Sequence, residues 1–189
     1  MTMATAAKRL LSVEEFLEIE FSGDEGRRVE LSNGVIRMMA GGSAAHARIQ
    51  KNVFGSLYMA LRGKGCSPYG PDMGVRTHDL SLRYPDVSVF CGRDDPAFDK
   101  LREFDDPRLV VEVLSPSTRT EDNDIKLREY QAMPSLEAIL YVDPEAETVR
   151  LLTRMTLRGW SDMDIEKGQV AEFKTLGITL TWSDIFQRD

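Results

Sequence analysis

The sequence lacks several features that would place a chain in a familiar class at once. No apolar stretch in its 189 residues approaches the roughly 20 residues that a membrane-spanning helix needs. Near the N-terminus, Lys8 and Arg9 are followed by Glu14 and Glu15 instead of an apolar segment, so we predict no secretory signal. Repeats, low-complexity tracts and Pro/Ser-rich linkers are absent too, which predicts a single domain over 1–189.

Cysteine is scarce. The chain has 2 cysteines, Cys66 and Cys91, which form neither a CxxC pair nor a metal-binding spacing. Isolated cysteines of this kind are typical of a cytoplasmic protein. We therefore predict that both are reduced thiols and that the protein is cytoplasmic.

Acidic residues are missing from one long stretch of an otherwise acidic chain. The net charge is −7, which argues against a dedicated nucleic-acid coat protein. Between Leu31 and Pro71, however, there is no Asp or Glu, and the basic residues of that stretch are Arg37, Arg48, Lys51, Arg62 and Lys64. This asymmetry predicts a locally basic face that contacts nucleic-acid phosphates, and a solvated helix face is the alternative interpretation.

The order of apolar and turn-forming residues predicts a mixed α/β fold. Ser12 followed by Glu15 forms a capping-box pattern, and Asn33-Gly34 between two β-prone runs predicts a hairpin. Ser43 is a predicted cap for a helix to about Arg62, whose apolar stripe is Ile49, Val53, Leu57 and Leu61. The later predicted elements are a strand at Asp86, a central strand at 109–114, a helix at 120–133, a hairpin over 138–153, a strand near 169–174 and a helix from Thr181.

Two carboxylates stand alone in apolar, strand-forming segments. Asp86 lies within Tyr84–Phe90, and Glu112 lies within Leu109–Leu114. A charge in such a run is costly unless it is paired. Because Mg²⁺ needs only one or two carboxylate ligands, the pair predicts a metal site if the two strands are neighbours. Alternatively, Asp86 simply begins a strand and accepts hydrogen bonds from a turn.

Hydrolysis at such a site also needs a positive group. Leu114, two residues beyond Glu112 on the same face of the strand, cannot supply one. Lys126 lies on the following predicted helix, and Tyr130 is four residues further on the same face. A lysine that reaches back from this helix is one interpretation, and a surface lysine paired with Asp122 is the other.

Together these motifs resemble a known group of nucleases. Pro85-Asp86 followed by Glu112 resembles the PD-(D/E)XK nuclease superfamily, and Val111–Thr118 followed by Lys126 and Tyr130 resembles the Uma-type family of restriction endonucleases. The resemblance runs from about Glu14 to Val149. It implies a restriction-endonuclease-like core, with a central mixed β-sheet flanked by helices. It also implies hydrolysis of phosphodiesters in DNA with Mg²⁺ or Mn²⁺ as cofactor.

The resemblance further implies roles for individual residues. Asp86 and Glu112 match the metal-binding acids, and Lys126 matches a catalytic lysine displaced from its usual position. Glu30 matches an upstream acid that completes the metal site or holds a water. His46 and Tyr130 are candidate supporting residues. Simpler interpretations are a solvent-facing strand position for Glu30, a partly buried histidine without a ligand for His46 and a core position for Tyr130.

Three functions are compatible with the sequence. The favoured one is a metal-dependent endonuclease that acts on DNA and forms a homodimer. The second is a protein that keeps the nuclease fold and binds nucleic acid or protein without cleaving it, motivated by Leu114 and by the acidic net charge. The third, compatible with either, is an interaction protein that dimerises through the apolar hairpin Ala138–Leu152.

Overall fold

A computed structural model describes residues 9–19, 28–39, 41–115 and 121–188, and the side chains of 121–123 are not described. In these ranges the α-helices are α1 (Val13–Glu18), α2 (Ala44–Leu61), α3 (Glu121–Ala132) and α4 (Trp182–Phe186). The first seven strands are β1 (Val29–Ser32), β2 (Val35–Met38), β3 (Cys66–Tyr69), β4 (Gly74–His78), β5 (Ser81–Arg83), β6 (Val87–Cys91) and β7 (Glu103–Phe104). The later strands are β8 (Leu109–Val113), β9 (Ala138–Asp143), β10 (Thr148–Arg154), β11 (Trp160–Ile165), β12 (Val170–Phe173) and β13 (Ile178–Thr181).

Local sequence signals account for several element boundaries. Ser12 and Glu15 form the predicted capping box at α1, and the Ser43 side chain accepts a hydrogen bond from the His46 backbone at the start of α2. Between β1 and β2, Asn33 and Gly34 take positive φ angles of 48° and 75°, as a tight hairpin turn requires. These predicted boundaries are confirmed.

Two mixed sheets dominate the fold. The six-stranded sheet has the order β11-β10-β9-β8-β6-β3, and β8 pairs with β9 in parallel whereas its other pairings are antiparallel. The five-stranded sheet has the order β2-β1-β5-β4-β7, with β4 and β7 parallel. A separate β12-β13 hairpin completes the described strands. The predicted mixed α/β class is confirmed, although the expected single central sheet is accompanied by a second large one.

The six-stranded sheet is covered on both faces. One face packs against α2, the β12-β13 hairpin and α4 in a core that includes Ile49, Val111 and Leu140. The opposite face packs in a second cluster with Tyr130 of α3 and with Val75 and Phe104 of the five-stranded sheet. All five residues of β8 are buried, which confirms the predicted central strand.

The apolar hairpin is part of this sheet interior. Its strands β9 and β10 lie between β8 and β11, and Ile139, Leu140 and Leu152 are buried. The interpretation that this hairpin forms a dimer surface is therefore wrong, because its apolar side chains are already covered within the chain. The homodimer itself stays a prediction.

The two cysteines differ from expectation. Cys66 and Cys91 lie directly opposite each other in the antiparallel pair of β3 and β6, and they form a disulfide. The prediction of two reduced thiols was wrong, because a separation of 25 residues does not show which strand positions face each other. Cytoplasmic location and a single domain stay predictions.

In the part of the chain that the structure describes, no helix combines the length and the apolar character needed to cross a membrane.

Candidate active site

Asp86 and Glu112 lie side by side where β6 and β8 pair. The register joins Val87 to Val111 in an antiparallel ladder, so the next position along places Asp86 opposite Glu112. The Val113 backbone N–H donates to Asp86 Oδ2 at 2.7 Å, which anchors Asp86 against β8. The neighbouring strands that the sequence argument required are therefore present.

Glu112 is in an environment that disfavours its charge. It is only 8% exposed, and burial raises the pKa of its carboxyl to about 7. The charge of Lys126 opposes this shift, whereas the nearby charge of Asp86 adds to it. An added cation would relieve both the desolvation and the repulsion between the carboxylates.

This donor set fits a hard divalent cation with few protein ligands. Among the described residues there is no group of three or more His, Cys, Asp or Glu side chains arranged as a metal cage. Mg²⁺ nevertheless needs only one or two carboxylates, because it retains several waters or binds substrate phosphate. Asp86 and Glu112 meet that minimal requirement.

Helix α2 contributes two contacts to Asp86. His46 Nε2 lies 3.3 Å from Asp86 Oδ1, and the Gln50 side chain donates to the Asp86 backbone oxygen at 3.1 Å. The hydrogen bond to Asp86 raises the pKa of His46, although burial opposes the shift. Because His46 and Gln50 are four residues apart, they lie on one face of α2 and hold its first turns against Asp86.

Helix α3 places Lys126 and Tyr130 next to Glu112. Lys126 Nζ lies 3.7 Å from Glu112 Oε1, and the Tyr130 hydroxyl donates to the same oxygen at 2.7 Å. Lys126 is 8% exposed, so the interpretation of a surface lysine is wrong. The placement of a lysine on this helix beside Glu112 is the geometry that the displaced-lysine interpretation requires.

Glu30 joins the same group from the five-stranded sheet. Its Oε2 lies 3.4 Å from Lys126 Nζ, and the residue is 3% exposed. The alternative of a solvent-facing strand position is therefore wrong. Two carboxylates, Glu30 and Glu112, lie near the one ammonium group of Lys126.

A buried ion network behind Glu30 was missed at the sequence level. Arg83 Nη1 donates to Glu30 Oε1 at 2.7 Å, and Arg83 Nε donates to Glu129 Oε2 at 2.7 Å. Hydrogen bonding and charge from these carboxylates raise the pKa of Arg83, even though burial opposes the shift. Glu129 lies on α3 three residues after Lys126, so Arg83 links the helix that carries Lys126 to the strand that carries Glu30.

A signal for Arg83 was present in the sequence. It is a charge within the strand-like run Leu82-Arg83-Tyr84, immediately before Pro85-Asp86. The criterion that identified Asp86 and Glu112, a lone charge in an apolar run, also applies to Arg83. Its partner Glu129 carries no comparable signal, because acidic residues are common on the exposed faces of helices.

The five basic residues do not form one cluster at the site. Arg48 and Lys51 lie in the first turns of α2 near His46, and Arg37 on β2 pairs in register with Glu30. Arg62 and Lys64 lie near the far end of α2, roughly 24 Å from His46 at about 1.5 Å per helical residue. Lys64 Nζ also donates to the Gly177 carbonyl at 2.9 Å.

Part of the 111–118 motif lies outside the described residues. Ser115 is described, whereas Pro116, Ser117 and Thr118 of the block that follows Glu112 are not.

Comparisons with known proteins identify the family of this chain. A family model described as "Uma2: Putative restriction endonuclease" matches residues 13–183. Two uncharacterized proteins of Synechocystis sp. are similar: slr1290 is 31% identical, covering 94% of this chain and 92% of its own, and sll1609 is 28% identical, covering 84% and 89%.

A solved structure has the same fold. It is the crystal structure of a putative nuclease belonging to DUF820 from Anabaena variabilis, with a TM-score of 0.73 and 17% sequence identity. The match covers 93% of this chain and 97% of that one. At this identity the likeness concerns the fold, and it confirms the predicted nuclease-like architecture.

Proposed function

This chain belongs to the Uma2 family, and from that premise we propose that it hydrolyses phosphodiester bonds in DNA with a divalent metal ion. The observation that carries the proposal is the half-buried Asp86 beside the buried Glu112, with Lys126 Nζ 3.7 Å from Glu112 Oε1. Burial of these charges is costly for stability, and a catalytic role accounts for their retention.

The metal ion in this proposal is Mg²⁺ or Mn²⁺, held by Asp86 and Glu112. When bound, such an ion polarises a phosphoryl oxygen and lowers the pKa of a bound water. The protein's own contribution is to orient the ligands. His46 and Gln50 hold Asp86, and Tyr130 holds Glu112 through its hydroxyl.

Lys126 supplies the positive group in place of Leu114. Its ammonium group stabilises the negative charge that develops on the phosphate or orients the attacking water. The carboxylates of Glu30 and Glu112 lie 3.4 and 3.7 Å from Lys126 Nζ, and they keep the ammonium group beside the proposed metal site. In this proposal Glu30 acts on the lysine. The role that the resemblance implies for Glu30, completing the metal site or holding a water, stays a prediction.

The proposed path of the nucleic acid begins at the site end of α2. Arg37, Arg48 and Lys51 lie on elements that reach the site, and they are the candidates for contacts with phosphates near the cleaved bond. Arg62 and Lys64 belong to a more distant part of the same path. Replacing any one of these phosphate-binding cations by a neutral residue should make binding less dependent on salt concentration.

Cleavage of plasmid DNA with Mg²⁺ or Mn²⁺ tests the proposal. We expect Asp86→Asn and Lys126→Met each to reduce the cleavage rate about 100-fold or more, because each removes a charge that acts on the transition state. Arg128→Met is the matched control, since Arg128 is an exposed residue of the same helix and should retain activity. Full activity in Asp86→Asn would contradict the proposal.

A second candidate is a DNA-binding protein that does not cleave. The observation that favours it is Leu114, a half-buried apolar side chain in the position where the resemblance implies a lysine. DNA binding without cleavage in any divalent cation would support this candidate. The predicted homodimer is a separate matter, and light scattering of the purified protein would decide it.

A further inference from the structure

Tyr141 is a buried tyrosine beside the site that has no part in the network described so far. It lies on β9 and pairs in parallel register with Glu112 of β8, so the two side chains emerge on the same face of the sheet. Tyr141 is 5% exposed, and its hydroxyl has no hydrogen-bond partner within the described part of the chain. A buried hydroxyl in this state is costly, and in a native protein it calls for an explanation.

The contrast with Tyr130 shows why the unpaired hydroxyl is informative. Both tyrosines belong to the same buried cluster on this face of the sheet. The Tyr130 hydroxyl is satisfied by Glu112 Oε1 at 2.7 Å, whereas the Tyr141 hydroxyl is unpaired among the described residues. A phenylalanine at 141 would fill the same space without the buried polar atom, so packing alone does not account for the hydroxyl.

The charges near Tyr141 indicate which kind of group completes its hydrogen bonding. Burial, and then the charge of Glu112, raise the pKa of Tyr141, so the group is a neutral O–H donor at physiological pH. The charge of Arg150 lowers the pKa of Tyr141, and the charge of Asp124 raises it. Arg150 forms a bidentate pair with Asp162, at 2.8 and 2.6 Å. Tyr141 is thus a donor next to the proposed metal-binding carboxylate.

We propose that the Tyr141 hydroxyl is a substrate contact, which donates a hydrogen bond to a non-bridging phosphate oxygen of nucleic acid bound beside Glu112. This inference rests on the proposed function. Hydrogen bonds to ionised oxygens are roughly twice as strong as neutral ones, so substrate binding would satisfy the hydroxyl that the protein leaves unpaired. The contact adds to the site a residue from β9, a strand that otherwise contributes only packing.

The test compares Tyr141→Phe with the matched substitution Tyr130→Phe. Binding of a fluorescent DNA duplex is measured with Mg²⁺ in a Lys126→Met background, and unfolding by urea is measured without DNA. We expect Tyr141→Phe to weaken duplex binding about tenfold while leaving the urea midpoint unchanged or higher. Tyr130→Phe should lower the midpoint, because it leaves a buried oxygen of Glu112 without its donor.

The outcomes separate this inference from the nuclease proposal. If the protein with Lys126 intact cleaves DNA and Tyr141→Phe leaves duplex binding unchanged, the contact is overturned and the nuclease proposal stays intact. Weaker binding in Tyr141→Phe without any cleavage would support the contact and overturn the nuclease activity. If the protein that keeps Tyr141 does not bind the duplex, the Tyr141 contact and the nuclease proposal are both overturned.

Discussion

The two faces of strand β8 differ in chemistry. Leu109, Val111 and Val113 point towards α2 and lie in a core made of apolar side chains. Val110 and Glu112 point to the other side, where Glu112 meets Lys126 and Tyr130 of α3. A single five-residue strand therefore separates a hydrophobic layer from a layer that contains buried charges.

This difference indicates a division of labour between stability and function. Apolar burial on the α2 side is the kind of contact that stabilises a fold, at about 25 cal/mol per Å². Buried ion networks of the kind on the α3 side are seldom more stabilising than apolar packing of the same volume. The buried charges on the α3 side are therefore better explained by the chemistry they support, and the apolar layer on the α2 side by the rigidity it provides.

The largest stability effect is expected on the polar side. Arg83→Met would leave Glu30 and Glu129 buried without their shared cation. Removing one partner of a buried ion network costs about 3–5 kcal/mol, and we expect the free energy of unfolding to fall by that amount. Urea unfolding followed by fluorescence measures this quantity.

A triple variant separates the two roles of this network. The variant combines Arg83→Met with Glu30→Gln and Glu129→Gln, so no unpaired carboxylate remains at these positions. We expect it to recover much of the stability that Arg83→Met alone removes. Cleavage by the triple variant should nevertheless be slower than in the unsubstituted protein, because the Glu30 carboxylate no longer lies 3.4 Å from the Lys126 amine. Wild-type activity in the triple variant would contradict the division of labour between the two faces.

On the apolar side, Leu140→Ala is the matching change. Leu140 is fully buried and pairs in register with Val111, so its truncation leaves a cavity that costs about 2–5 kcal/mol. Met163→Ala is the control, because Met163 lies in the same sheet and is 58% exposed. We expect cleavage per folded molecule to be unchanged in both, and a loss of activity in fully folded Leu140→Ala protein would show that the faces are coupled.

The smallest effect is a pH dependence of stability that arises from Glu112. Its pKa in the folded state is about 7, above the unfolded value of about 4.5, so the folded state binds the proton more tightly. The associated stability is fully present below pH 4.5 and is lost as pH rises to about 7, by an amount on the order of 1–3 kcal/mol. Urea unfolding with a chelator from pH 5 to pH 8 measures it.

Glu112→Gln is the reference for this measurement. Because it has no proton to lose, its stability should lack the part of the pH slope due to Glu112. Added Mg²⁺ should also reduce the slope of the unsubstituted protein, since a bound cation favours the ionised carboxylate. Identical slopes in the chelated protein and in Glu112→Gln would show that Glu112 is not held in the environment described.

Much of the site was accessible from the sequence. Asp86 and Glu112 were identified because single charges in apolar strands are conspicuous. Helical spacing placed Lys126 and Tyr130 on one face, and only the resemblance to the Uma-type family implied that they belong to the site. The helices α1, α2 and α3 and the hairpin of β9 and β10 followed from caps, turns and periodicity. Those signals are local, and each is read within a short stretch of chain.

The features that were missed depend on which distant segments become neighbours. The disulfide depends on β3 pairing with β6, the unpaired Tyr141 hydroxyl on β9 pairing with β8, and the link from Arg83 to Glu129 on the contact between β5 and α3. No local pattern specifies strand order or register between segments far apart in the chain. For the same reason the second large sheet was not anticipated.

The sequence by itself determined the positions of the two carboxylates and the type of each main element, because burial cost and backbone geometry act on neighbouring residues. The tertiary structure alone decided that Asp86 and Glu112 face each other, that Lys126 reaches Glu112 with Glu30 beside it, and that Tyr141 is buried next to Glu112. The physical reason is that side-chain electrostatics act over a few ångströms in space. Only packing of the two sheets and α3 brings those groups within that distance.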